Sequence, residues 1–506
     1  MRKKEKIRKN EWNGSRWMEF GMVLMACVMV FFGWEEYQMK KQMEANILQE
    51  QMEAEQIESE SQQQEREQKK ITSSETNAQS SSENQRDQPE MRETIRVLLM
   101  NNNQKSCMQE QVILKSTSNI IMEGSYSGEI VPDTVCDVSQ FLTTDGYILA
   151  KSDAPISVLS LKRSQGIPSY EGTLKIYRKD ADYYIVNEVN LETYLKYVVP
   201  SEMPASYPQE ALKAQAVCAR TYAVRQMKSS SLAEYGADVD DTVAYQVYNN
   251  IPRQNSTDAA VEDTRGVIMC NQNEPIQAYF FSTSCGFTSS DDVWSGTGET
   301  EYLRSIPVSR QSVETLSNSG FSENSVLEPE MTNDEFEKTI GEKNPLDYEY
   351  DEPWYRWEVT IHWEELERRA KERYPEIGQL QQLEISQRSS GGAAKQLILK
   401  GSSDSEMIET EYHIRKFLSP GEAPIKLQDG SFNTSMELLP SAYIVIQTIM
   451  EDEKPSALSI HGGGYGHGVG MSQNGAKYLA LDGLSWQQIL SVFYKNYDTV
   501  HLVPGN

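Results

Sequence analysis

The 506-residue chain is short of several things, and each shortage excludes a class of function. It has only five histidines, so any imidazole role has few candidates. Its six cysteines, Cys27, Cys107, Cys136, Cys218, Cys270 and Cys285, contain no C-x-x-C pair, which excludes a zinc ribbon or a thioredoxin-type motif. There is no G-x-S-x-G, hence no nucleophile elbow. No register gives G-x-G-x-x-G or G-K-[ST], hence no nucleotide cradle. Basic side chains number 48 against 75 acidic ones, a net charge of −27. A nucleic-acid partner needs a basic face, so none is expected. Apolar residues reach 38%, below the roughly 45–50% of ordinary globular chains, so part of the chain is expected not to pack.

Long apolar runs are scarce too; the chain has one, Trp17 to Trp34, broken only by Glu19. Residues 1–16 before it carry a net charge of +5. Its uninterrupted part, Phe20 to Trp34, is 15 residues, slightly short of the about 17–25 that span a bilayer. Trp17 and Trp34 stand where interfacial anchors belong, and the basic flank keeps residues 1–16 in the cytoplasm with the rest outside. The competing reading is a cleaved signal peptide, but Glu35, Glu36 and Tyr37 follow where small residues are needed. Leu24-Met25-Ala26-Cys27 faintly matches a lipoprotein cleavage site, yet Val28 to Trp34 continue without charge. An uncleaved single-pass anchor at 17–34 is therefore expected. Residues 35–92 hold 12 Gln, 7 Ser, 14 acidic and 7 basic residues. That composition cannot bury enough surface to offset chain entropy, and it reads as a tether. Residues 93–506, with a net charge of −24, are the folded part.

Strand-like runs recur there: Thr94 to Met100, Gln111 to Lys115, Leu174 to Arg178 and Tyr183 to Val189. Asn190 can cap a helix over Leu191–Val199 with Glu192 in its first turn, and Pro200 is expected to end it. The segment VVPSEMPASYPQEALKAQAVCARTYAVRQM follows. Pro208 suits the first position of a long helix over Gln209–Met227. Its alanines, Ala211, Ala214, Ala216, Ala219 and Ala223, make a narrow cylinder suited to a central, buried place. The fold class expected is α+β, mixed strands and helices around that long Ala-rich helix. Gln215, Arg220 and Tyr222 interrupt its apolar surface, either as satisfied core groups or as site residues. Glu202 falls in a short loop between two helices, flanked by Val198, Val199, Pro200, Met203 and Pro204. A carboxylate desolvated there would hold a proton near neutrality; the plain alternative is a solvated surface glutamate.

Two more segments stand out. An apolar run, Pro275 to Phe281, feeds Ser282-Thr283-Ser284-Cys285-Gly286, a loop offering hydroxyl and backbone N–H groups to a polar ligand. Further on, HGGGYGHGVGMSQ packs six glycines into ten residues, which requires unusual torsions or very close approach of a ligand to the main chain. His461 and His467 are six apart, not a helical metal-ligand spacing. His362 borders WEELERRAKERY, read as a solvated helix face.

SEMPASYPQEALKAQAVCARTYA, then PIQAYFFSTSCGFTSS, then HGGGYGHGVGMSQNGA, in that order, resemble the stage II sporulation protein D (SpoIID/LytB amidase-enhancer) family. The resemblance covers about 93–506, weakly over 320–440. It implies a lytic transglycosylase that cleaves peptidoglycan glycan strands stripped of stem peptides. It also implies work during forespore engulfment, beside an amidase and a small membrane scaffold protein. The family's catalytic glutamate falls on Glu202. Arg220, Gln215, Tyr222, His467 and Gln473 match motif positions and are candidates to hold sugar hydroxyls or the lactyl carboxylate. Ser282, Ser284 and the glycine-loop backbone are candidates to stabilise developing charge. Some members bind zinc through Cys, His and Cys; the matching positions here are Asp240, Ala244 and Tyr245, so no metal and no cofactor are expected. Cys285 replaces the first glycine of the family's S-x-S-G-G loop, where added bulk would narrow the cleft or alter the backbone. Two disulfide pairings stay open, Cys270–Cys285 and Cys107–Cys136, while Cys218 reads as a small core residue.

Three functions compete. In the first the chain is a lytic transglycosylase with a single catalytic carboxylate. In the second it is a non-catalytic glycan binder that stimulates a cell-wall amidase. In the third it is a scaffold acting through its tether and surface.

Overall fold

The computed structural model describes residues 90–504, apart from 103–104, 164–165, 230, 243, 249, 251, 295–299, 319–330 and 435. The expected basic tip, anchor and nearly all of the tether lie outside the described residues, as does Cys27. Among the described residues no helix is long and apolar enough to cross a membrane.

The fold is mixed α/β. A seven-stranded sheet runs, in spatial order, Val239–Asp240, Thr94–Leu99, Asp182–Asn190, Thr173–Lys179, Tyr147–Lys151, Ile120–Gly124 and Gly128–Ile130. Its ladders are antiparallel except for the first pair. Alternation places Leu174 and Ile176 of one strand and Tyr183 and Ile185 of the next in the core, as a period of two requires.

Asn190 ends its strand and caps the next helix, α1 (Leu191–Glu202). Its side-chain oxygen accepts from the backbone N–H groups of Glu192 (3.0 Å) and Thr193 (3.4 Å). Pro200 does not end α1, which runs three residues further than the sequence suggests. A proline in the last turn removes one backbone donor, and Met203 N–H still reaches Val199 O at 2.9 Å. Glu202 is consequently the last helical residue and not a loop residue. After a short turn, α2 (Gln209–Lys228) begins with Pro208 as its N-cap.

The long helix is central, as its alanines suggest. Ala211, Ala214, Ala216, Ala219 and Ala223 are all fully buried. Their small side chains let α2 press against α1, the helices Asn255–Asp263, Gln473–Leu481 and Trp486–Phe493, and the strand Val267–Asn271. Cys218 fills a core gap on α2, with its sulfur 3.4 Å from the Tyr494 hydroxyl. A second core, from Trp357 to Ile460, is built on the five-stranded sheet ordered Phe432–Asn433, Ile425–Leu427, Trp357–His362, Lys454–Gly462 and Ile444–Glu451. His362 ends one of those strands and precedes the helix Trp363–Arg373. The five described cysteines are all free, so neither Cys270–Cys285 nor Cys107–Cys136 forms. Each is held by its own packing: Cys270 within the strand Val267–Asn271 and Cys285 buried beside Gly463.

Candidate functional site

Glu202 sits at the C-terminal end of α1, half-buried among Val198, Val199 and Met203. One backbone donor serves it, the Val247 N–H, 2.6 Å from Oε1. Among the described residues no cation neutralises it, and burial pushes its pKa up to about 7, with the Val247 hydrogen bond opposing. Its charge reaches the buried Tyr194 and Tyr222, whose hydroxyls are pushed up chiefly by burial and further by Glu202 and Asp240. Tyr194 donates to Gln246 Oε1 at 3.3 Å.

From Tyr222 an aromatic row leads to the other two motifs. Its ring lies 6.1 Å from Tyr279, which meets Trp294 edge-on at 4.8 Å. Trp294 lies 5.3 Å from the His467 ring, and Phe281 lies 5.7 Å from it on another side. Main-chain pairing binds the same segments. Phe280 and Phe281 form a parallel ladder with Met471 and Ser472. Tyr465 N–H donates to Thr283 O at 2.8 Å, and Ser289 N–H to Gly468 O at 2.7 Å. The expected continuous strand from Pro275 to Phe281 is instead two short pieces, Glu274–Pro275 and Phe280–Phe281, because the chain changes partners between them. All three motifs thus converge.

The glycine-rich loop is shaped by protein, not held open for a ligand. Gly464, Gly466, Gly468 and Gly470 have φ of +80°, +114°, +83° and +76°. A Cβ on Gly470 would lie 2.1 Å from Tyr279 O, and one on Gly468 2.3 Å from the Tyr443 hydroxyl. The glycines allow two backbone segments to touch. Cys285 is buried, and it is not among the positive-φ residues, so it neither strains the loop nor projects from it.

The remaining candidates divide. Arg220 is fully buried and forms a two-pronged ion pair with Glu192, Nε to Oε1 at 2.9 Å and Nη2 to Oε2 at 2.7 Å. Its other donors reach the carbonyls of Val261 (3.1 Å) and Val267 (3.3 Å). It ties α1 to α2 and has no exposed surface to offer a lactyl carboxylate, which corrects the expectation from the motif. His467 accepts from Val469 N–H at Nδ1 (3.1 Å) and lies 3.0 Å from Phe280 O through Nε2. Burial holds it neutral, with a pKa down at about 4, so Nε2 carries the proton and both nitrogens are occupied by backbone. Gln473 donates to Gln215 Oε1 at 3.4 Å, joining the glycine loop to α2, while the buried Gln215 Nε2 has no partner. Ser282 lies 3.1 Å from the Thr283 hydroxyl and stays half-buried.

Ser284 leads to a residue that sequence reasoning missed. Its N–H donates to Glu349 Oε1 at 2.8 Å and its hydroxyl to Oε2. Ser472, the N-cap of the helix Gln473–Leu481, donates to Oε1 at 2.6 Å. Glu349 is 1% exposed, and burial pushes its pKa up to about 7 despite three donors. It locks the Ser/Gly loop to the glycine loop. Nothing in the acidic string DYEYDE marks it, since such runs are usually solvated.

Among the described residues no group of three or more His, Cys, Asp or Glu side chains is arranged to hold a metal ion. The positions that hold zinc in some relatives do not fit it here. The Asp240 carboxylate accepts from Thr242 N–H (2.8 Å) and its hydroxyl (2.7 Å), and Ala244 offers no donor atom.

Comparison with known proteins gives the site a lineage. Residues 179–270, which contain both α1 and α2, match the family described as stage II sporulation protein, SpoIID. Over these two helices the chain is similar to the stage II sporulation protein D family. Residues 288–470 match a second family, a domain of unknown function designated DUF8618. The chain is 42% identical over 135 residues to "Stage II sporulation protein D" of Bacillus subtilis, covering 24% of this chain and 39% of that protein. It is 29% identical over 313 residues to "Amidase enhancer" of the same organism, covering 59% of this chain and 39% of that protein. With "Stage II sporulation protein D" of Bacillus amyloliquefaciens it shares 27% over 342 residues, 64% of this chain and 78% of the relative. The chain thus spans about two fifths of the length of the two Bacillus subtilis relatives.

Proposed function

We propose that this protein is a SpoIID-type sporulation cell-wall enzyme, a lytic transglycosylase in which Glu202 is the single catalytic carboxylate. The observation that carries the reading is a half-buried glutamate with a pKa of about 7, served by one donor and no cation among the described residues, beside an aromatic row joining all three motifs. A carboxyl poised near neutrality serves both as acid and as base. Glu202 in its acid form protonates the oxygen of the bond between N-acetylmuramic acid and N-acetylglucosamine, and the C1–O bond breaks. The carboxylate left behind takes the proton from the muramyl C6 hydroxyl as that oxygen closes onto C1. The products are a free 4-hydroxyl end and a 1,6-anhydro end. No water is consumed, and Glu202 regains its proton. Two-carboxylate glycosidases need a second group because water or enzyme is their nucleophile; here the substrate supplies its own. The half-buried Tyr279 and Trp294 offer ring faces and edges against which sugar C–H groups can lie, with the buried Tyr222 behind them. In this reading residues 17–34 anchor the chain and hold the catalytic part outside the cytoplasmic membrane. An amidase that strips stem peptides, together with a small membrane scaffold protein, completes the partnership.

The test is incubation of the protein with denuded glycan strands, followed by mass spectrometry of the ends. The 1,6-anhydro products are expected. Hydrolysed reducing ends, or none, would sink the enzyme reading. The second reading is a glycan-binding enhancer of an amidase, favoured by the name of the 29%-identical relative. It predicts that Glu202→Gln stimulates the amidase as well as the wild type does.

A further inference from the structure

A pocket of about 330 Å³ opens on the second core, in the segment whose family has no assigned function. Its charge runs against the chain around it. The described unit is strongly acidic, yet Lys343, Lys426 and Arg356 line the pocket against one carboxylate, Glu358. Lys426 pairs with Glu358 at 2.7 Å. Lys343 is exposed and has no ion-pair partner among the described residues. Arg356 is buried, and its N–H groups are spent on the carbonyls of Tyr355 (2.8 Å), Ile340 (2.9 Å), Cys285 (3.0 Å), Thr339 (3.3 Å) and Glu342 (3.3 Å) and on the Tyr355 hydroxyl (3.2 Å), so it stiffens the pocket wall. Lys343 is therefore the cation left free at the pocket mouth, with the Lys426–Glu358 pair beside it. The pocket also has a neutral side. The Gln428 side-chain oxygen is buried without a partner, while its nitrogen donates to Tyr350 O at 2.9 Å. That oxygen asks for a hydroxyl or amide N–H, and the Trp357 ring supplies an apolar wall.

A ligand that answers all three features carries a carboxylate, a hydrogen-bond donor and an apolar face. An acidic glycan needs a local cation, because the domain's field repels it. Arg220 is spent on Glu192, and this pocket provides the cation that Arg220 does not. The pocket adjoins the site loops: Arg356 donates to Cys285 O, and the Trp357 indole N–H donates to Gly464 O at 3.0 Å. We propose that the pocket formed by Lys343, Lys426 and Gln428 binds a carboxylated N-acyl amino sugar of the same strand that Glu202 cleaves. The inference rests on the glycan reading above and deepens it by adding a second, charge-selective contact to the polymer.

The test is saturation-transfer NMR on the full-length protein with N-acetylmuramic acid and with N-acetylglucosamine, which differ by the lactyl carboxylate. Muramic acid should bind at least ten times more tightly, and raising salt should weaken it. Lys343→Glu and Lys426→Glu should each lose most of that preference, and Lys343→Arg should keep it. Equal binding of the two sugars, or a preference untouched by both charge reversals, would overturn the proposal. So would inorganic phosphate competing better than muramic acid, since that marks a plain anion site. Glu202→Gln separates the two claims, because it should abolish anhydro ends while leaving muramic acid binding intact. If the wild type makes no anhydro ends yet the lysine variants lose muramic acid, the pocket stands and the enzyme reading falls.

Discussion

Glu202 and Glu349 are both glutamates pushed to about 7 by burial, one ending α1 and the other bonded to the two converged loops, yet they have opposite surroundings. Glu202 takes one backbone hydrogen bond and keeps part of its surface. Glu349 takes three donors from two serines and keeps 1%. A third glutamate, Glu192, is buried and matched by a two-pronged arginine. A raised pKa alone does not distinguish a catalytic acid from a structural one. What distinguishes them is spare hydrogen-bonding capacity on a partly exposed carboxylate. Glu202 has it, Glu349 spends its oxygens on holding two loops together, and Glu192 spends its charge on holding two helices together.

The contrast can be broken by substitution. Glu202→Gln should cut the formation of anhydro ends by roughly 10²–10⁴-fold and leave the far-ultraviolet circular dichroism unchanged, since glutamine can still accept from Val247. Its stability should depend on pH in a definite direction. The wild-type carboxyl has a folded pKa of about 7 against an ordinary 4.5. Its preference for the folded state is therefore full below about 4.5 and lost above about 7. Chemical denaturation should accordingly show Glu202→Gln gaining on wild type as the pH rises through that window. Arg220→Ala strands the buried Glu192 and should cost about 3–5 kcal/mol in urea unfolding; a small loss would mean that the pair is not structural. Glu349→Ala strands three donors and should cost about 1–3 kcal/mol, with Glu349→Gln recovering part of it. Cys285→Gly empties a small buried volume and adds chain entropy, and should cost only about 1 kcal/mol; a rise in activity would show that Cys285 narrows the site after all.

Local physics was readable in the sequence, and tertiary pairing was not. The Asn190 cap, the alanine cylinder of α2 and the desolvated setting of Glu202 all follow from neighbours within a few residues. Pro200 misled because a proline breaks a helix interior but costs little in a last turn. Arg220 looked like a ligand-binding cation because its partner, Glu192, lies 28 residues earlier. The glycine loop looked like a ligand cradle because the main chain of Tyr279 that fills it is almost two hundred residues away. Glu349 left no trace, since its three donors come from two distant motifs and its own string reads as solvated. The pocket beside Trp357 was hidden for the same reason, its three cations being gathered from three separate segments.

The claim that Glu202 acts as the acid is tested most directly by the pH dependence of kcat/KM for anhydro-end formation, measured on wild type and Glu349→Gln. The acid form of Glu202 must be present, so the rate should fall as the pH rises through about 7, and Glu349→Gln should leave that falling limb where it is. A limb that disappears in Glu349→Gln, or a rate flat from pH 5 to pH 9, would contradict the assignment.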